Sequence, residues 1–80
     1  MWVYLLRSEQ YPAQRYIGHA FNLQRRLQEH NDGECTATAP YRPWQILVAI
    51  LFGEDQKAIE FEKYLKSGTG RAFANKRLWP

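Results

Sequence analysis

The pattern of hydrophobic and polar positions predicts three short β-strands. Residues 2–6 are aromatic and aliphatic and are followed by polar residues, and residues 15–19 are expected to form a second short strand after a gap that suits a hairpin. Residues 44–52 are almost continuously apolar and lie between Pro43 and Gly53. A continuous apolar run of this length predicts a central, buried strand.

The segments between and after these runs predict helices. Asn22 is a favourable N-cap for a helix through about residue 30, and residues 31–33 provide its end. Glu54 or Asp55 is expected to cap a second helix through about residue 66. The order of elements is therefore β-β-α-β-α, which predicts an α+β fold in which a small sheet is covered by helices.

The helical periodicity separates two adjacent arginines in the first helix. With Leu23 as the reference, Leu27 lies at about 40°, His30 at about −20° and Arg26 at about −60°. Arg25 lies at about 200°, on the opposite side. Arg26 and His30 are four residues apart, so both should project from the edge of the buried face.

The second helix contains a carboxylate on its apolar face. With Ala58 as the reference, Glu62 falls at about 40°, within the apolar arc, whereas Glu60 falls near 200°. A buried carboxylate is costly unless it is paired or bound to a metal ion. Glu62 is therefore either a metal ligand or half of a salt bridge with Arg26 or Lys66.

Charge is distributed unevenly along the 80 residues, which we expect to form one domain spanning residues 1–80. All eight acidic residues lie at or before Glu62, and every charged residue after it is basic. We expect residues 67–70 to break the second helix and residues 71–77 to form a short basic helix. This pattern favours an anionic partner, nucleic acid first and an acidic membrane second, although a solvated surface helix is the simpler alternative.

Cysteine content and hydropathy predict the compartment. Cys35 is the only cysteine, so no internal disulfide can form, which is typical of a reducing environment. The N-terminal apolar run is too short for a signal peptide, and no segment approaches the roughly 20 apolar residues of a membrane span. We therefore expect a soluble, cytoplasmic protein that does not insert into a membrane.

Five residues together match the requirements of phosphodiester hydrolysis. They are the strand tyrosines Tyr4 and Tyr16 and the helix residues Arg26, His30 and Glu62. A carboxylate can hold Mg²⁺, an arginine can neutralise charge on the phosphate, and a further group must accept the proton of the attacking water. Taken singly, each has a simpler explanation, since strand tyrosines usually pack and a histidine at a helix C-terminus is favoured by the helix dipole.

The spacing of these residues resembles the GIY-YIG endonuclease superfamily, and within it the small single-domain bacterial proteins. Tyr16-Ile17-Gly18 is the second signature triplet, and Trp2-Val3-Tyr4 keeps only the tyrosine of the first. Arg26 follows Tyr16 by ten residues and His30 follows four later, as in the family. The stretch 58–66 is similar to the family's second-helix element, whose metal-binding glutamate corresponds to Glu62.

Two further positions are assigned by the resemblance alone. His19 corresponds to the family's lysine or polar residue shortly after the YIG triplet. Asn75 is a candidate for the asparagine that some members carry after the glutamate. We expect both to contact substrate, together with the basic residues Arg71, Lys76 and Arg77, which can bind backbone phosphates without reading bases.

The resemblance implies a three-stranded antiparallel sheet flanked by helices and metal-dependent cleavage of nucleic acid, most simply DNA. One Mg²⁺ or Mn²⁺ ion would be bound by Glu62, and Arg26 would hold the phosphate. Tyr4, assisted by Tyr16, would position water and accept its proton, with His30 relaying the proton or contacting the phosphate. Forming tyrosinate at pH 7 costs about 4 kcal/mol for a free tyrosine. In the alternative mechanism, the two tyrosines do not accept a proton and only orient a water molecule that the metal ion polarises.

In 80 residues we expect no separate targeting module beside the nuclease-like domain. We therefore expect a structure-selective or weakly sequence-specific activity in DNA repair, recombination or processing, or the help of a targeting partner. The main alternative is a non-catalytic nucleic-acid-binding module on the same fold. A protein-interaction domain whose basic region meets an acidic partner is the third possibility.

Overall fold

The computed structural model describes all 80 residues and has the predicted order of elements. The strands are β1 (Trp2–Ser8), β2 (Arg15–Ala20) and β3 (Trp44–Leu51). The helices are α1 (Leu23–Asn31), α2 (Asp55–Lys66) and α3 (Gly68–Arg77), with a short 3₁₀ helix at Ala39–Tyr41 before β3. None of these helices has the length and apolar character needed to cross a membrane.

The three strands form an antiparallel sheet in the order β2-β1-β3. The central strand is therefore β1, whose residues Val3 to Leu6 are fully buried, and the prediction that residues 44–52 form the central strand is wrong. Both faces of β3 are covered, because Ile46 packs with the α1 side and Val48 packs with the α2 side. The continuous apolar run thus reflects two covered faces of an edge strand.

Side chains of β1 alternate between two hydrophobic cores on opposite faces of the sheet. Val3 and Leu5 pack against helices α2 and α3, through Ala58, Leu65 and Ala74. Tyr4 and Leu6 face the other side, where they pack with Trp44, Leu23 and Leu27. The sheet is consequently a middle layer between helix α1 and the α2–α3 pair.

The ends of α1 follow the predicted signals. The side chain of Asn22 accepts a hydrogen bond from the backbone N–H of Arg25 at 3.0 Å, as expected of an N-cap. Beyond the helix, Gly33 has a φ of 81°, a left-handed conformation that glycine adopts at low cost. Glu54 occupies the N-cap position of α2 but its side chain makes no capping hydrogen bond.

Helix α3 starts earlier than predicted. The expected break over residues 67–70 is confined to Ser67, and the helix runs from Gly68 instead of from residue 71. The hydroxyl of Ser67 accepts a hydrogen bond from the N–H of Gly70 at 3.2 Å and so caps the new helix. A single capping serine therefore turns the chain, and both following glycines remain helical.

Candidate active site

Gly18, the glycine of the YIG triplet, leaves space for the rings of the two signature tyrosines, Tyr4 and Tyr16. Tyr4 pairs with Gly18 across the β1–β2 ladder. A Cβ atom at position 18 would lie 2.6 Å from the Tyr4 hydroxyl oxygen and 2.9 Å from a ring carbon of Tyr16. A Cβ atom here would force these rings to move, so glycine is the residue that fits this position without strain. The two tyrosine rings lie 6.3 Å apart, centroid to centroid.

His30 connects Tyr4 to the irregular segment that follows α1. Its Nε2 atom lies 3.0 Å from the hydroxyl oxygen of Tyr4, and its Nδ1 atom lies 2.8 Å from the hydroxyl oxygen of Thr38. The Thr38 hydroxyl also donates to the carbonyl of Cys35 at 3.3 Å. The side chain of His30 is fully buried. Each ring nitrogen thus has one polar partner within the protein.

These partners favour one tautomer of neutral His30. A carbonyl oxygen can only accept, so the single proton of the Thr38 hydroxyl is directed at Cys35. With its proton directed at Cys35, Thr38 is an acceptor toward His30, and on this basis we assign the proton of the neutral ring to Nδ1. Nε2 is left as an acceptor, and the Tyr4 hydroxyl donates to it.

The protonation states follow from burial. Burial raises the pKa of Tyr4 to about 12, although the nearby Arg26 guanidinium opposes the shift. Burial, with a smaller contribution from the charge of Arg26, lowers the pKa of His30. At pH 7 Tyr4 is therefore a phenol and His30 a neutral base. Removing the Tyr4 proton to solvent at pH 7 would cost about 7 kcal/mol, which argues against a resting tyrosinate.

Arg26 lies beside this hydrogen-bonded chain. Its Nη1 atom donates to Glu29 at 2.8 Å, and its guanidinium lies near enough to the Tyr4 hydroxyl for each group to shift the pKa of the other. The pKa of Arg26 is raised, first by Glu29 and then by Tyr4. Arg25 is exposed on the outer side of the helix, as the helical phase predicts. The half-buried arginine therefore presents a fixed positive charge at the Tyr4 hydroxyl.

Glu62 is held by two basic side chains on the α2 side of the sheet. Its side chain is 14% exposed, against 54% for Glu60, which agrees with the predicted helical phase. One carboxylate oxygen is in a close contact with Nδ1 of His19, and the other accepts from Nζ of Lys66 at 2.7 Å. Burial alone would raise the pKa of Glu62, but hydrogen bonds from Lys66 and His19 lower it overall.

The donor set at Glu62 fits a cation that keeps most of its water. No group of three or more His, Cys, Asp or Glu side chains converges anywhere in the chain. Mg²⁺, however, is often bound by one or two carboxylates with water as the remaining ligands. Lys66 is 51% exposed and its ammonium sits at the end of a flexible chain, so it can leave the carboxylate without disturbing packing.

The predicted site residues come together as two groups. Tyr4, Tyr16, Arg26 and His30 lie on the α1 side; the rings of Tyr16 and His30 are 4.9 Å apart. Glu62 lies with α2 on the other side, paired with His19 and Lys66. The two groups still interact electrostatically, because the charge of Glu62 contributes, after burial and the tyrosine neighbour, to the raised pKa of Tyr4.

The predicted substrate-binding residues all lie on the α2–α3 side of the sheet. Arg71 and Asn75 line a cavity next to Tyr16, and Lys76 and Arg77 are exposed in the last turn of α3. Nδ1 of His19 contacts the carboxylate of Glu62, so His19 lies with Glu62 and does not line this cavity.

Sequence reasoning did not find Thr38 or Glu29. Thr38 lies in the irregular segment between α1 and β3, where no periodicity shows which way a side chain points. Glu29 could have been found, because it lies three residues after Arg26 and therefore on the same side of α1.

Residues 1–77 match the GIY-YIG catalytic domain, and the chain belongs to this family. It is 39% identical over 72 residues to the structure-specific endonuclease subunit SLX1 of Debaryomyces hansenii, an alignment that covers 80% of this chain and 20% of the relative. The SLX1 subunit of Scheffersomyces stipitis is 38% identical over 68 residues, covering 75% and 20%. SLX1 homolog 1 of Trypanosoma cruzi is 41% identical over 68 residues, covering 75% and 13%.

The chain thus spans about a fifth or less of the length of these curated relatives. No solved structure matches it. The family and the three-stranded antiparallel fold expected from the resemblance are confirmed. The narrower expectation of a bacterial member finds no support, because these relatives come from two yeasts and a trypanosome.

Proposed function

We propose that this domain is an endonuclease that hydrolyses phosphodiester bonds in DNA and selects branched or otherwise structured DNA during repair or recombination. The observation that carries this proposal is the buried 3.0 Å hydrogen bond between Tyr4 and His30, with the Arg26 guanidinium close to it. The names of the relatives, which are structure-specific endonuclease subunits, support the choice of substrate.

A proton path follows from this geometry. The attacking water gives a proton to the oxygen of Tyr4 while Tyr4 passes its own proton to Nε2 of His30, which becomes an imidazolium. Tyr4 therefore never has to exist as a free tyrosinate, and the cost of about 7 kcal/mol is avoided. Neutral His30 is available at pH 7 because its pKa is lowered by burial. Tyr16, which packs against both rings, positions them.

Arg26 holds the phosphate and neutralises its growing charge. A guanidinium binds two phosphate oxygens at once, and the same group keeps Tyr4 oriented. Glu29 anchors Arg26 from behind through its 2.8 Å hydrogen bond. The arginine therefore links the proton-transfer residues to the phosphate.

Glu62 would hold one divalent cation, Mg²⁺ or Mn²⁺, after Lys66 has moved away. When bound, such a cation supplies Lewis-acid stabilisation of charge on the phosphate and leaving oxygen. His19 keeps the carboxylate oriented, and Glu62 keeps the negative charge needed for binding because its pKa is lowered overall.

The second candidate is a nucleic-acid-binding module without catalysis. It is favoured by one observation, the engagement of both carboxylate oxygens of Glu62 by His19 and Lys66. If these ion pairs never open, the domain would bind DNA with a steep dependence on salt and would cleave nothing.

The two candidates are separated by one panel of reactions. Purified protein is incubated with branched, nicked, single-stranded and intact duplex DNA, with Mg²⁺, with Mn²⁺ and with EDTA. We expect cleavage of branched DNA that requires a divalent ion. Binding of all substrates without cleavage under either ion would establish the binding module instead.

Three further features are part of the proposal. Residues 1–80 form one nuclease-like domain, since all three helices pack on the same sheet. A protein partner assists in targeting, since the yeast relatives are named as subunits. The compartment is reducing, most simply cytoplasmic, as the lone Cys35 suggests. Size-exclusion chromatography of the chain with candidate partners tests the second of these.

A further inference from the structure

The chain has one cavity, of about 470 Å³, and it opens where β2 meets α3. Its walls are mixed in a particular way. The apolar side chains include Tyr16, Ile17, Leu65 and Trp79. The polar ones are three cations and one amide, Arg15, Lys66, Arg71 and Asn75, without any carboxylate. A cavity of this size and composition suits a ligand that has a flat apolar part and a negative charge.

One wall of the cavity is a fixed stack of a guanidinium on an indole. The guanidinium carbon of Arg15 lies 4.6 Å from the centre of the Trp79 ring. Nη1 of Arg15 also donates to Oδ1 of Asn75 at 3.0 Å. Arg15 is therefore held in place from two directions, and the amide nitrogen of Asn75 remains able to donate to a ligand.

The cavity adjoins the proposed catalytic residues. Tyr16 forms part of its wall and lies 4.9 Å from His30, ring centre to ring centre. Lys66 also lines the cavity, and its Nζ atom donates a hydrogen bond to the carboxylate of Glu62. A ligand in the cavity would thus lie next to both groups of the site, although Tyr4, Arg26, His30 and Glu62 do not line it.

We propose that this cavity binds one unpaired nucleotide of the nucleic acid substrate, next to the bond that is cut. The base stacks on the Arg15–Trp79 wall and accepts a hydrogen bond from Asn75, and its phosphate is bound by Arg71. Aromatic and guanidinium surfaces stack on any base, so the cavity selects an unpaired state instead of a sequence.

This inference rests on the proposed function, and it gives a physical reason for structure selectivity. A paired base must be unstacked and extruded before it can enter a pocket, which costs a few kcal/mol, whereas a base at a branch or flap is already free. DNA with an unpaired nucleotide beside the cleavage point should therefore be preferred to intact duplex.

Nucleotide binding can be measured without cleavage. The ¹⁵N-labelled 80-residue chain is titrated in EDTA with thymidine 5′-monophosphate, with thymidine and with inorganic phosphate, and amide and indole resonances are followed by NMR. We expect the monophosphate to shift the Trp79 indole and the amides of α3. Its affinity should exceed that of either fragment by about tenfold, because stacking and phosphate binding add.

Two variants and one control identify the walls. Arg71→Gln removes a charge from an exposed side chain and should weaken binding about tenfold, as should Trp79→Leu, which keeps an apolar side chain against the core. Arg25→Gln removes a charge on the outer side of α1 and should leave binding unchanged. Equal affinity for phosphate and nucleotide, or equal loss in all three variants, would overturn the nucleotide cavity.

The two proposals fail in different ways. If the nucleotide binds at α3 but no DNA is cut with Mg²⁺ or Mn²⁺, the nuclease proposal is lost and the cavity stands. If branched DNA is cut but thymidine monophosphate causes no shifts at Trp79, the cavity is lost and the nuclease proposal stands.

Discussion

Replacing Thr38 by valine tests the proton path at a residue that touches no substrate. Valine has nearly the same shape as threonine but cannot accept a hydrogen bond. Nδ1–H of His30 would lose its 2.8 Å partner inside a fully buried environment. An unsatisfied buried donor costs about 1–3 kcal/mol, and in a domain of this size each 1 kcal/mol lowers Tm by about 4–8 °C.

The loss also changes which nitrogen of His30 carries the proton. Without Thr38, the ring can shift its proton to Nε2 and donate to Tyr4. In that tautomer Nε2 cannot receive a proton from Tyr4, so the relay is interrupted. General acid–base catalysis contributes roughly 10²–10⁴-fold to rates, and we expect cleavage of branched DNA to fall by at least about tenfold.

Long-range ¹H–¹⁵N NMR of histidine-labelled protein reports the tautomer directly, and urea unfolding reports the stability. Thr38→Ser keeps the hydroxyl and should restore both the Nδ1–H tautomer and most of the cleavage rate. A Thr38→Val protein that retains the Nδ1–H form, or one that loses stability while its cleavage rate is unchanged, would refute the role of Thr38 in the proton path.

Three further predictions address the metal ligand, the pH dependence and the glycine. Glu62→Gln should abolish ion-dependent cleavage and Mn²⁺ binding measured by electron paramagnetic resonance, whereas the exposed control Glu60→Gln should leave both intact. The pKa of His30 is lowered from 6.5 in the native state, so below about pH 6.5 the unfolded chain binds more protons than the native state does. The free energy of unfolding measured in urea should therefore fall as the pH drops below about 6.5. The variant His30→Asn should show a weaker dependence on pH, and an equally steep dependence would contradict this assignment. Gly18→Ala should destabilise the fold by about 1–3 kcal/mol and impair cleavage, since its Cβ meets the hydroxyl of Tyr4; a crystal structure with an unmoved Tyr4 would contradict this.

Local patterns in the sequence predicted the elements and the direction of several side chains. The 3.6-residue period separated Arg26 from Arg25 and Glu62 from Glu60, because helical phase depends only on sequence spacing. The Asn22 cap likewise acts within one turn. These features were predictable because the residues that decide them are near neighbours in the chain.

Features that depend on distant pairing were not predictable in this way. The apolar run of β3 looks the same in an edge strand with two covered faces as in a central strand. The contact between His19 and Glu62 joins residues 43 positions apart, and Thr38 reaches His30 from a segment without periodicity. The resemblance to a known family supplied the order of the site residues but not these partners.

The proposed mechanism depends on the transfer of a proton from Tyr4 to His30 during hydrolysis of a phosphodiester bond. Single-turnover cleavage of end-labelled branched DNA by Tyr4→Phe, compared with the wild type and with the exposed control Tyr64→Phe, measures this most directly. The account predicts a rate lower by about 10²–10⁴-fold for Tyr4→Phe, with DNA affinity unchanged and with Tyr64→Phe cleaving like the wild type. Cleavage by Tyr4→Phe at the wild-type rate would contradict it.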